Sequence, residues 1–149
     1  MTAWHEKNSA KATGRIKECL DLIFGQDTGN VNVRRDDLWV RLHGGNIRAT
    51  TRWNLVLVRG PISRFWADSE TVLHEYYHVL RQWNTGRLGR MRYLWASRRG
   101  YLNNRLETEA MDFAANNLKK FQDCLDDDGQ TNEGSPCADN ANAANNPPN

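Results

Sequence analysis

The chain lacks a long apolar run. No stretch of its 149 residues approaches the roughly 18 consecutive apolar residues that span a bilayer as a helix. Met1–Gly25 lacks an apolar segment followed by small residues, so no secretory signal is expected and a cytoplasmic location is. Cysteine is scarce, and Cys19, Cys124 and Cys137 are odd in number, far apart and without a C-x-x-C pair. A zinc ribbon or a disulfide framework is therefore not expected. Three free thiols in a reducing compartment are, with a clip between Cys124 and Cys137 as the alternative.

Apolar residues are few, at 39%, and the mean hydropathy is −0.78. Six Trp, four Tyr and four Phe nevertheless argue against disorder throughout, because disordered chains are poor in aromatics. Charge is divided along the chain. Residues 1–121 hold all 20 Lys and Arg with 12 of the 18 acids, while the last 28 residues hold no base and the other six acids. After Asp126 the composition falls to mostly Asp, Asn, Gly, Ala, Ser and Pro, too poor in core formers to offset the entropy of ordering. One domain over residues 1–125 and a disordered acidic, Asn-rich tail over 126–149 are expected.

Along the domain, Ala12, Ile16, Cys19, Leu20, Ile23 and Phe24 recur at helical spacing up to Gly25, which predicts an amphipathic helix with a C-terminal glycine. Val31–Leu42 alternates in part and predicts one or two short strands broken at Arg35–Asp37. Gly44-Gly45-Asn46 reads as a turn. Thr50–Arg59 is a β-rich run closed by Gly60-Pro61, read as one strand, and Ile62–Ala67 as a connection. Asp68 is placed to cap a helix that runs to about Trp83, where Asn84-Thr85-Gly86 stops it. A further helix is expected over Leu88–Arg98. A last one, capped by Asn103 or Asn104, is expected over Arg105–Leu125 with Leu106, Ala110, Phe113, Ala114, Leu118 and Phe121 as its apolar stripe.

One motif carries chemistry. His74-Glu75-Tyr76-Tyr77-His78 is H-E-x-x-H. Residues i and i+4 share a helical face, so both imidazoles reach one ion, and neutral imidazole nitrogen is a zinc ligand. Glu75, rotated by about 100°, is free to take a proton from a water at the metal. With four His in the chain, chance supplies about 0.005 such motifs, so composition alone does not account for it. Val72, Leu73, Val79 and Leu80 flank it with apolar side chains, as a helix against a core requires.

A catalytic zinc takes three protein ligands and keeps one position open. His5 and His43 lie upstream in other contexts, and the H-x-x-G-x-x-H continuation is missing after His78. That leaves a carboxylate on a later helix. No Asp or Glu occurs from Tyr76 through Leu106; then Glu107-Thr108-Glu109-Ala110-Met111-Asp112-Phe113-Ala114 appears.

An H-E-x-x-H helix followed by E-x-E-A-x-x-F-A resembles the minimal gluzincin metallopeptidases, the ImmA/IrrE-like group and related small bacterial and phage zincins. The resemblance covers about Thr50 to Leu118. It implies an α+β zincin-like domain with a short sheet packed on the H-E-x-x-H helix and a downstream glutamate helix. It further implies a zinc cofactor on His74, His78 and Glu107, Glu75 as general base, Ala110 as the small residue that lets the two helices approach, and hydrolysis of peptide bonds. The family often has Asn or Asp four residues after the glutamate to support a histidine; here Met111 stands there. That departure keeps Glu109, with Asp112 three residues on, as a rival ligand. Glu107 and Glu109 are about 200° apart on a helix, so only one of them faces the metal. The other is expected to be solvated or paired with arginine.

Seven arginines lie between Glu75 and Glu107, namely Arg81, Arg87, Arg90, Arg92, Arg98, Arg99 and Arg105, with Trp83, Tyr93, Trp95 and Tyr101 among them. A solvated helical face is the plain expectation. Nucleic-acid contact through Arg and stacked aromatics, or docking of the acidic tail, are the alternatives. The expected partner is a peptide or protein substrate, with no membrane. If the chain is not an enzyme, a metal- or nucleic-acid-binding module using residues 81–105 is the alternative function. Tyr76, Tyr77, Tyr93, Tyr101 or an arginine are candidates to stabilise an oxyanion, none of them singled out.

Overall fold

A computed structural model describes residues 9–42, 48–87 and 105–127. Its elements in order are β1 (Ser9–Lys11), α1 (Gly14–Phe24), β2 (Asn32–Arg35), α2 (Asp37–Leu42), β3 (Ala49–Arg52), β4 (Leu55–Val58), α3 (Ile62–Ala67), α4 (Ser69–Tyr77) with a π-helical continuation over His78–Trp83, and α5 (Arg105–Asp126). The class is α+β, as the sequence predicts. The four strands form one mixed sheet in the order β1-β2-β4-β3. β2 runs parallel to β4, while the β1–β2 and β3–β4 pairs are antiparallel.

Alternate residues along β2, from the position just before it, and along β4 build the main core. Val31, Val33, Val56 and Val58 are buried with Leu20 and Phe24 of α1, Leu73 and Tyr76 of α4, and Ala114 and Phe121 of α5. Side chains alternate across a strand, so Leu57 points to the other face. It is buried there, and Val40 of α2, a helix that packs on β4, is buried outside the main core as well. Among the described residues no helix is long and apolar enough to cross a membrane.

Three local expectations need correction. Leu38–Leu42 is the helix α2, not strand. The Asp36 side chain accepts from the Trp39 amide at 3.1 Å and the Val40 amide bonds the Asp36 carbonyl at 3.1 Å, so a capping aspartate starts a helix where an alternating pattern suggested β. Thr50–Arg59 is a hairpin, not one strand. Arg52 pairs with Leu55, and Asn54 makes the turn with φ 49°, a left-handed conformation that Asn tolerates better than most residues. Ile62–Ala67 is a short helix that buries Phe65. By contrast, the glycine stop after α1 is as predicted, since Gly25 adopts φ 66° and its amide bonds the Asp21 carbonyl.

The three-thiol expectation also fails. Cys19 of α1 and Cys124 of α5 form a disulfide across 105 residues, with a Cα–Cα distance of 5.8 Å. Helix packing brings the two sulfurs together, and no local spacing announces it. Disulfides persist in oxidising environments, so a reducing compartment no longer follows from the cysteines. Cys137 lies outside the described residues, as do residues 128–149 of the expected tail, the Gly44–Asn46 turn and the helix expected over Leu88–Arg98.

Asp68 caps α4. Its carboxylate accepts from the Thr71 amide at 3.1 Å and from the Thr71 hydroxyl at 2.7 Å. Asp68→Ala should therefore lower stability by about 1 kcal/mol, read as an earlier urea midpoint. An unchanged midpoint would mean that water caps the helix equally well.

Candidate metal centre

Among the described residues, α4 and α5 are the most extensively packed pair of helices, and the site lies between them. Ala110 and Ala114 are fully buried on the α5 face of this contact. Small side chains let the backbones approach, and this sets the rotation of α5. With Ala110 inward, Glu107 one turn earlier lies on the same face, since i and i+3 are neighbours on a helix. Glu107 is 7% exposed and His78 5%.

Three ligand atoms converge there. His78 Nε2 is 3.0 Å from His74 Nε2 and 3.3 Å from Glu107 Oε2, and His74 Nε2 is 3.4 Å from the same oxygen. Ligands held tetrahedrally at about 2.0–2.1 Å from one ion stand roughly 3.3–3.4 Å apart. Two of the three edges match that spacing and the third is a few tenths of an ångström short. Among the described residues, His74, His78 and Glu107 are the group able to hold a metal ion.

Electrostatics point the same way. Imidazole lone pairs and a carboxylate oxygen are all acceptors, and they do not crowd together without a cation among them. A proton is one such cation. Burial alone would pull His78 down, but the hydrogen bond it donates to Glu107 and the charges of Glu75 and Glu107 outweigh it and raise its pKa. Burial would raise Glu107, yet hydrogen bonds and charge from both histidines hold it far below the usual carboxylate range. A divalent metal ion is the other cation that fits this arrangement.

Glu75 is 7% exposed. Desolvation dominates its environment and pushes its carboxyl above the usual range, against the pull of His78 and His74. A carboxylate in that condition is the stronger base.

Glu109 does not join the cluster. It pairs with Arg87 at 3.0 Å and Arg105 at 3.2 Å. Met111 is 51% exposed, so the position where the family often supports a histidine faces away. Tyr76 is fully buried in the core, between Phe24 and Trp66, and Tyr77 packs on Phe113 at 4.8 Å. His5, His43, Tyr93 and Tyr101 lie outside the described residues.

The arginine stretch is partly absorbed by the fold. The Arg81 guanidinium donates to the Phe24 carbonyl at 2.6 Å, satisfying a free carbonyl at the end of α1. Arg87 and Arg105 converge on Glu109. Arg90, Arg92, Arg98 and Arg99 lie outside the described residues.

No family model matches the chain, and no curated protein or solved structure matches it either.

One residue of the site escapes the sequence reading. Gln82 is fully buried. Its Oε1 lies 2.7 Å from His78 Nδ1, and its Nε2 donates to the Leu106 carbonyl at 2.8 Å. The available signal is its i+4 spacing from His78.

Proposed function

We propose that this chain is a zinc-dependent metallopeptidase of the gluzincin type, built on a zincin-like domain. The observation that carries the proposal is the convergence of His74 Nε2, His78 Nε2 and Glu107 Oε2 at tetrahedral spacing. Two imidazoles and one carboxylate are a donor set that suits zinc, and three protein ligands leave a fourth position for water and substrate. A bound zinc ion would polarise the scissile carbonyl and lower the pKa of water beside it.

The chain's own residues supply the rest. His74 and His78 come from one helical face and Glu107 from the facing helix, so relative motion of α4 and α5 is restrained where the ligands meet. Glu75 is not one of the three. Its buried carboxylate takes the proton of the attacking water and passes it to the leaving amine. The substrate class that fits is a peptide or protein.

Metal content tests this reading. Purified wild-type protein should hold one zinc per chain and His78→Ala none, measured by elemental analysis. Zinc unaffected by His78→Ala, or no zinc in either protein, would overturn it.

A further inference from the structure

We infer that Gln82 is a positioning residue of the metal centre, setting the tautomer of His78 and tying it to the helix that carries Glu107. The inference rests on the metal-site reading above.

The Leu106 carbonyl can only accept, so the Gln82 atom facing it at 2.8 Å must be the amide nitrogen. The amide oxygen therefore faces His78 Nδ1 at 2.7 Å. An amide oxygen only accepts, so Nδ1 carries the proton. With the Nδ1 proton fixed there, Nε2, the atom that meets His74 and Glu107, is the nitrogen left to give its lone pair to a metal ion once any proton on it is displaced. One rigid carboxamide thus turns the direction of a backbone carbonyl into the orientation of a metal ligand. Leu106 immediately precedes Glu107, so the same bond holds the glutamate helix in register with the histidine helix.

The location of Gln82 is unusual in two ways. It lies in the π-helical segment that begins at His78 and is closed by the Asn84 amide bonding the Val79 carbonyl at 2.9 Å. Such segments are rare and concentrate at functional sites. It also supports a histidine from the histidine's own helix, while Met111 on α5 is exposed. Groups that hold the far nitrogen of a ligating histidine typically contribute about 10- to 100-fold to metal affinity.

Two variants test the inference. Gln82→Met keeps the volume and removes both hydrogen bonds. Gln82→Glu keeps an acceptor for Nδ1–H and loses the donor to Leu106. In metal-free protein, nitrogen NMR of the imidazoles should show His78 protonated at Nδ1 in the wild type and in Gln82→Glu. Gln82→Met should lose that preference, and its zinc affinity should fall about 10- to 100-fold in a chelator competition. Wild-type His78 without a proton at Nδ1, or Gln82→Met with wild-type protonation at Nδ1 and wild-type affinity, overturns the inference. If Gln82→Met does not fold, loss of the Nδ1–H tautomer in Gln82→Glu overturns it instead. The tautomer is read without metal, so a chain that binds no zinc refutes the metal reading separately.

Discussion

Glu75→Gln should retain zinc and lose peptide hydrolysis by a factor of about 10²–10⁴. Three observations make this the sharpest functional test. Glu75 is outside the ligand cluster formed by His74, His78 and Glu107, so its amide analogue leaves the donor set intact. Glu75 is buried, and desolvation raises its pKa, which favours proton uptake. Glutamine has nearly the same shape and cannot take a proton from water. Loss of activity with full zinc content therefore isolates the proton transfer from metal binding. Cleavage of a broad peptide library, followed by mass spectrometry, gives the readout. A glutamine variant as active as wild type would remove Glu75 from the mechanism. Wild type and variant equally inert, with zinc bound in both, would favour a metal-binding module over an enzyme.

Reducing the Cys19–Cys124 bond should cost about 3–5 kcal/mol of stability. The bond closes a span of 105 residues, and a cross-link over so long a loop removes much of the freedom of the unfolded chain, in the chain-entropy account. Folded domains are stable by only about 5–15 kcal/mol, so the loss would be a large share of the total. Denaturant unfolding with and without a reductant measures it. The double variant Cys19→Ser/Cys124→Ser should unfold like reduced wild type and ignore the reductant. Coincident midpoints for oxidised and reduced wild type would show that the bond contributes nothing.

The same bond is expected to matter little for metal content. Glu107 and Cys124 stand near opposite ends of α5, about 25 Å apart at 1.5 Å per residue. The site end of α5 is held separately, by Gln82 on the Leu106 carbonyl and by Arg87 on Glu109. Stability and zinc stoichiometry should therefore separate on reduction.

What could be read in the sequence was local. The spacing of His74 and His78 needs only helical periodicity, and Asp68 and Gly25 declare helix ends by chemistry confined to a few residues. The apolar stripe of Arg105–Leu125 likewise predicts α5 within a residue of its observed end at Asp126. Elsewhere two local signals compete. Alternating Leu38, Val40 and Leu42 read as strand, but the Asp36 cap selects a helix. The run from Thr50 to Arg59 read as one strand because its turn, Trp53-Asn54, has no glycine.

The remaining features were decided by tertiary structure. Glu107 and Glu109 are equal in sequence, two carboxylates about 200° apart on one helix. Only the burial of Ala110 and Ala114 against α4 rotates Glu107 toward the histidines and leaves Glu109 to the arginines. Gln82 has no motif, because its role exists only once Leu106 is packed beside it. Cys19 and Cys124 are joined by the packing of α1 on α5. Sequence periodicity determines which residues share a face; the docking of one face on another determines which of them meet, and both the candidate metal site and the disulfide are such meetings.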